Sequence, residues 1–497
     1  MINYGAMQLG LFYKKCDDFS MKIPYEILYP DLPLIKHSQN ETLRSLKKGE
    51  VEEIRISSQK PLDDIIRFGL SNNFLKESLC SFPDPRQGFD IPIDILLLPQ
   101  IIQRLDDEHS LVSAPYMLNS SDLITRLGYS AKVLETGFNN KNKHERETIF
   151  HGETLKHLLL SAKADHLITW FNENWCIHLQ NQAPGRTHTY LLDGTRLLIP
   201  NNLVEKYQNA GTVKNPDGTI ECGYKIVWLR ELIDEKRITR GILIAPINEH
   251  DLPLGKKLVD NFLFEKDATL IMDRGFLDGD WIKNLREERK IQVTIPLKKN
   301  SEITQFAVAQ AEVNNKWKPH PTRKDQEVYK LSKSDLIWEA CPVFESGVLV
   351  RFKKKDGMLE HIVFVSTKKN VSPAELLGEY DLRFEIEEDH RQLKCFQGIE
   401  NLPSKKYVNV VFRIIMGLVA YDLFNLFLNS EECDSLESYT LKLKRQKHRE
   451  EKNPEVIIYA EKTFAILNYY DFLDLLLSLP KKIQTILRKN FKKISSE

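Results

Sequence analysis

The sequence has no C-x-x-C pair: its seven cysteines stand singly at 16, 80, 176, 222, 341, 395 and 433. That scatter excludes a zinc ribbon and offers no disulfide framework, so the thiols read as reduced, in a reducing compartment. An apolar h-region is missing from the first residues, MINYGAMQLGLFYKKCDD, which are therefore no signal peptide. Nor is there an uninterrupted apolar run of membrane length. The most apolar long stretch, Val408 to Leu428, is broken by Asn409, Arg413, Asp422 and Asn425 and reads as a buried or amphipathic helix, so no membrane is expected as a partner. Net charge is absent as well, with 70 basic against 70 acidic residues. Nucleic-acid binders tend to be basic, so such a role requires positive charge that is clustered rather than spread. What remains is the composition of a soluble globular protein, 42% hydrophobic over 497 residues. That length accommodates roughly two to four structural units.

Charge crowds GEYDLRFEIEEDHRQLKCFQG, Gly378 to Gly398, which reads as one helix of about five turns. At about 100° per residue, Tyr380, Arg383, Glu387 and Lys394 project at roughly 0°, 300°, 340° and 320°, on one stripe. Glu375, Glu379, Asp381, Glu385, Glu388 and Asp389 point elsewhere, which leaves Glu387 as the one carboxylate aligned with the Tyr, the Arg and the Lys. Arg391 also falls near the stripe, at about 20°. Leu382, Ile386 and Leu393 cluster on a separate core side. A charged helix face is ordinarily a solvated face. This one, however, has the spacing Y-x2-R-x3-E-x6-K, which resembles the signature of DDE transposases of bacterial insertion sequences. The resemblance requires two aspartates upstream, each at the end of a buried strand.

The chain in order supplies both. Residues 1–60 show no sustained period and are an accessory segment of unknown role. Residues 61–180 have helical spacing and form a helical N-terminal region, a candidate for DNA binding. It includes the loop SFPDPRQGFDIP, the Leu-rich IDILLLPQIIQRL, a third helix near 153–174, and SDLITRLGYSAKVLETG (121–137), which suits a helix-turn-helix or a plain helical hairpin. From Thr187 short apolar runs replace helical spacing. THTYLLDGTRLLIP delivers Asp193 at a strand end, and ATLIMDRG delivers Asp273, with Gly194 and Gly275 close behind. A glycine just after each Asp lets a bulky duplex approach. Either motif taken singly is also an ordinary strand-end turn. Three strands, helix, strand, helix, strand is the order of an α/β, ribonuclease-H-like mixed sheet flanked by helices, expected over 187–430. The resemblance implies the same fold, with a β-rich insertion before the last catalytic helix, here at about 300–345. Asp278 and Asp280 read as caps of the helix at Trp281. The end, 431–497, carries the basic segments KLKRQKHREEK (442–452) and PKKIQTILRKNFKK (480–493) and is expected to be helical, for dimerisation or DNA contact.

The resemblance covers roughly 85–110 and 187–430. Carried over residue by residue, it implies that Asp193, Asp273 and Glu387 are the catalytic, metal-binding triad for two Mg²⁺ or Mn²⁺ ions, and that Tyr380, Arg383 and Lys394 hold DNA phosphates. Trp317, within the basic KWKPHPTRK, and Trp338 are candidates for stacking on a displaced base, with packing the alternative. The implied partners are double-stranded DNA, as element ends and target, and a second copy of the chain on that DNA. The implied place is the cytoplasm, at the bacterial nucleoid. Two other readings stay open at this point: a ribonuclease-H-like nuclease without transposition, and a domesticated DNA-binding protein that no longer cuts.

Overall fold

A run that sends alternate apolar residues to opposite sides becomes a strand covered on both faces, and His188–Ile199 (β1) does this. Tyr190 and Leu192 pack on one side, Leu191, Leu197 and Ile199 on the other. The computed structural model describes residues 35–57, 61–71, 74–86, 91–105, 114–118, 121–138, 148–182, 188–233, 236–354, 357–402, 404–430 and 455–493. In it, β1 is the hub of a mixed sheet. Ile220–Ile233 (β2) pairs antiparallel with β1, and Lys236–Pro246 (β3) antiparallel with β2. On the other flank Thr269–Met272 (β4) pairs parallel with β1, and Gln292–Pro296 (β5) parallel with β4. Asp251–Asp260 (α1) precedes β4 and Gly279–Glu287 (α2) precedes β5. The order β3-β2-β1-β4-β5, three antiparallel strands and then two parallel ones, is the ribonuclease-H-like sheet that the sequence predicts.

The insertion differs from its expected bounds. It opens with the helix Glu302–Asn314 (α3), continues through the strand Gln326–Leu331 (β6), and ends in the hairpin Ser346–Lys353 (β7) and Leu359–Ser366 (β8). β8 pairs antiparallel with β5 at Val365↔Ile295 and its neighbours, so the insertion prolongs the core sheet and runs to 366 rather than 345. α3 escapes a periodicity reading because two of its four buried positions, Ala307 and Ala311, are small and apolar only by a methyl group.

The signature stretch is not one helix. Pro373–Asp381 (α4) starts at a capping box of Ser372 and Glu375, and Arg383–Phe396 (α5) follows after Leu382. Two cores divide it. Leu376 and Leu377 of α4 pack on Val348 and Phe364 of the insertion hairpin, whereas Ile386 and Leu393 of α5 join the separate core around Leu191 and Ile271 of the central strands. Leu382, read as a core residue, is 37% exposed at the junction.

Tyr407–Leu428 (α6) is long and apolar enough by composition to cross a membrane, but its most apolar window is 94% buried inside the protein. Helices between Pro61 and Gln182 wrap it, with Leu75, Leu96, Leu158 and Trp175 sharing one core with Trp228 of β2 and Ile415 of α6. The helical region and the sheet are thus one packing unit across the change of texture near 187. The expected third helix divides into Gly152–Ser161 and a run from Ala164 to Gln182 that contains a π-turn at Phe171–Trp175. The candidate helix-turn-helix reduces to Ser121–Arg126 and a single turn, Val133–Thr136, and buries Leu123, Ile124, Leu127, Tyr129 and Val133. Its central residues thus serve packing.

The two ends of the chain meet in a second sheet. Lys36–His37, Glu53–Ser57, Glu455–Tyr459, Thr463–Asn468 and Phe491–Lys493 pair in it. This corrects the purely helical ending: the helices Tyr469–Ser478 and Lys481–Lys489 lie among strands. Alternation in EVIIY and TFAILN is short, and each pairs on one side with a strand roughly 400 residues upstream, which no local pattern signals. Residues 1–34 and the basic segment 442–452 lie outside the described residues.

Candidate active site

β1 does not end at Asp193. It runs on to Ile199, with Asp193 facing Trp228 of β2 at mid-strand. What ends there is the pairing with β4, whose last register pair is Leu192↔Met272, so Asp193 and Asp273 are the next residues on adjacent parallel strands. Strand alternation puts both on the face opposite Leu192 and Met272, where α5 lies. Gly194 does not turn the chain away either. A side chain there would run into the Asp251 carboxylate, 2.9 Å from the place of a Cβ.

Glu387 comes down from α5. Arg383, one turn earlier, donates from one terminal nitrogen to Asp193 Oδ2 at 2.9 Å and from the other to Glu387 Oε1. A single guanidinium therefore joins residues from opposite ends of the domain. Burial pushes the Asp193 carboxyl up to about 7; Arg383 and the Gly194 amide oppose this, and the like charges of Asp273 and Glu387 add to it. Burial alone would lower the Arg383 pKa, but Asp193, Tyr380, Asp273 and Glu387 together raise it. Tyr380 lies against Phe364 of β8 at 4.7 Å between ring centroids and beside Arg383 at 5.8 Å, and burial lifts its hydroxyl to about 12. Lys394 reaches over β1, donating to the Arg196 carbonyl at 2.7 Å and pairing with Glu400 at 3.1 Å.

The other acids of the signature are each occupied. Glu375 caps α4, Glu379 meets Thr294 and Lys368, Asp381 meets Arg323, Glu385 meets Arg237, and Asp389 meets Arg230. Arg391 does not join the stripe: it pairs with Glu388, whose carboxyl that hydrogen bond brings down to about 2. Asp278 caps α2 by accepting from Trp281 N, as expected. The two tryptophans pack within the insertion. Arg351 lies over the Trp317 ring at 4.0 Å with Tyr329 and His361 beside it, and Trp338 stacks on Phe344 with 9° between planes.

A cavity of about 430 Å³ opens next to Asp273, lined by Arg274, Gly275, Lys298, Lys299 and Asn300. Sequence reasoning passed over these cations, although both sets follow directly on a strand, Arg274 after β4 and Lys298 and Lys299 after β5. It also passed over Arg230 and Asp422, which look like ordinary residues of an apolar strand and an apolar helix.

Asp193, Asp273 and Glu387 offer hard oxygen donors without thiolate or imidazole, a set suited to Mg²⁺ or Mn²⁺. Like-charge repulsion on Asp193, countered by a lone guanidinium, marks a place that favours added positive charge. By donor chemistry the residues present fit such ions, with Arg383 standing between Asp193 and Glu387. Among the described residues, the group whose ligand atoms all lie within 4.8 Å of one another is a different one, His188, Glu231 and Glu265. His188 opens β1, roughly 17 Å along the strand from Asp193. There Arg240 already neutralises the buried Glu231 at 2.6 Å.

The family described as Transposase DDE domain matches residues 187–423. No curated protein matches the sequence. Among solved structures, the chain is similar to piggyBac transposase in a synaptic complex with hairpin DNA. The two are 10% identical with a TM-score of 0.40, over 88% of this chain and 86% of that one.

Proposed function

We propose, from the match of residues 187–423 to the family described as Transposase DDE domain, that the protein cuts phosphodiester bonds at the ends of an insertion sequence and transfers the freed 3′-hydroxyls to target DNA. The observation that carries this reading is the meeting of Asp193 and Glu387, 194 positions apart in sequence, on one Arg383 guanidinium beside Asp273.

Asp193, Asp273 and Glu387 would hold two divalent ions. When bound, these supply an activated water or hydroxyl nucleophile and neutralise charge on the leaving oxygen. The protein's own side chains do the rest. Asp193 must give up its proton to serve as a ligand, and its neighbours make that loss easiest when positive charge arrives. Arg383 presents a planar fork that matches a phosphate as well as a carboxylate, and Lys394 adds a point charge. The Tyr380 hydroxyl, kept protonated, is a donor toward the same phosphate. Arg274, Lys298 and Lys299 extend the positive surface from Asp273 and would track the strand leading into the site. In this way clustered charge offsets a net charge of zero.

Cutting two ends in concert calls for a homodimer on DNA, acting on the bacterial nucleoid in the cytoplasm. The test is incubation of the full chain with DNA carrying the element ends, a target plasmid and Mg²⁺ or Mn²⁺. Joined products support a transposase. Cleavage without joining would instead identify a nuclease, and binding without cleavage a domesticated DNA-binding protein.

A further inference from the structure

Asp389 lies two residues beyond Glu387 on α5, about 200° around the helix. Whatever fixes Asp389 against the sheet therefore fixes the direction in which Glu387 points. Its partner is Arg230, near the C-terminal end of β2 and fully buried, whose Nε donates to Asp389 Oδ2 at 2.9 Å. The same guanidinium donates to Asp422 Oδ1 of α6 at 2.8 Å and to Thr239 Oγ1 of β3 at 2.9 Å. Tyr421 and Arg237 also donate to Asp389, and Trp175, in the π-turn of the N-terminal helices, donates to Asp422. The guanidinium lies over Trp228 at 4.5 Å, and Trp228 is the cross-strand partner of Asp193. One buried arginine thus ties the strand next to Asp193 to the helix that carries Glu387 and to the helix behind it.

Stability does not account for this cluster. Buried ion pairs give back in attraction about what they cost in desolvation, and apolar residues of similar volume often serve the fold as well or better. Apolar packing alone would, however, let α5 roll or slide by a fraction of a turn, and a planar fork with fixed donors does not. We propose that Arg230 is a positioning residue for the cleavage site, setting the rotation and register of Glu387 through Asp389. The proposal rests on the reading of Asp193, Asp273 and Glu387 as the metal-holding triad.

The experiment uses the full chain with Asp389→Asn and Arg230→Lys, and Asp193→Asn as the control. Thermal unfolding, Mn²⁺ binding without DNA by electron paramagnetic resonance, and the Mn²⁺ concentration for half-maximal nicking are measured. Both variants are expected to weaken Mn²⁺ binding and raise the half-saturating concentration by about tenfold or more, the scale of losing an outer-shell support of a metal ligand. A merely structural role would lower the melting temperature and leave Mn²⁺ binding by the folded fraction unchanged. If Asp193→Asn binds Mn²⁺ like wild type, the triad reading fails and this proposal with it. If Asp193→Asn loses Mn²⁺ while Asp389→Asn and Arg230→Lys stay within twofold of wild type, Arg230 has no positioning role. Should those two variants not fold, Tyr421→Phe removes one hydroxyl from Asp389 and carries the same test: a shift of about threefold is expected, and none overturns the proposal.

Discussion

Arg383 holds Asp193 at 2.9 Å with one nitrogen and Glu387 with the other, so the first and last acids of the proposed triad share one counter-charge. A lysine has a single ammonium on a flexible stem and does not reproduce that fork. Arg383→Lys is therefore expected to lower the nicking rate at least about tenfold, and Arg383→Ala about a hundredfold or more, the scale of losing one preorganised donor. Both should leave DNA affinity within a few fold. Single-turnover nicking alongside fluorescence anisotropy checks this, and equal rates for the lysine variant and wild type would contradict it.

The cations beside Asp273 are expected to differ in their effect on DNA binding. Lys299 is already paired with Glu360, whereas Arg274 and Lys298 are exposed on the cavity wall. Each phosphate contact contributes about one unit to the slope of log affinity against log salt concentration. Arg274→Ala and Lys298→Ala should each flatten the slope by about one, and Lys299→Ala by less. A salt titration of affinity measures it, and three equal effects would refute the distinction.

Packing behind the site is tight at one glycine. A Cβ on Gly255 of α1 would come within 2.5 Å of the Phe276 ring, in the turn that follows Asp273. Gly255→Ala is expected to cost about 1–3 kcal/mol by overpacking and to reduce nicking by displacing that turn. Gly378, exposed on α4 with nothing within 4 Å of a Cβ, provides the contrast. There the Ala change is expected to be neutral or to stabilise by up to about 1 kcal/mol. Thermal unfolding of the two variants decides it.

Asp94 gives the helical region a pH dependence. It is fully buried, accepts from the Tyr129 hydroxyl at 3.0 and 3.1 Å, and burial pushes its carboxyl from 3.8 up to about 6. An acid whose folded value is raised contributes stability that is complete below its unfolded value and is lost as pH rises through its folded value. Asp94→Asn, which cannot ionise, should therefore melt higher than wild type above pH 7, by a margin that shrinks toward pH 5. A margin independent of pH would contradict this. The check is thermal unfolding at several pH values.

The ribonuclease-H-like sheet was legible because its strands are buried on both faces and announce themselves as apolar runs of the right length and order. The pairing of Asp193 with Asp273 was legible through the strands that deliver them. Asp193 was misplaced at a strand end because DGT looks like a turn, whereas β1 continues for six residues past it. The break at Leu382 was illegible from helical spacing, since both halves are good helix and only their allegiance to two different cores separates them. Arg391 fell on the stripe by angle yet found a nearer partner in Glu388. Angles assign a face, but competition for partners is settled in three dimensions. The Arg230 cluster brings together β2, β3, α5 and α6, contacts of 159 and 192 positions in sequence that no local pattern carries. The second sheet was hidden for the same reason.

The most direct test is nicking of end-containing DNA in Mg²⁺ or Mn²⁺ by wild type and by Asp193→Ala, Asp273→Ala and Glu387→Ala, with DNA binding measured in parallel. Each substitution is expected to abolish nicking while binding stays measurable; wild-type nicking by any one of the three would contradict the assignment of the site.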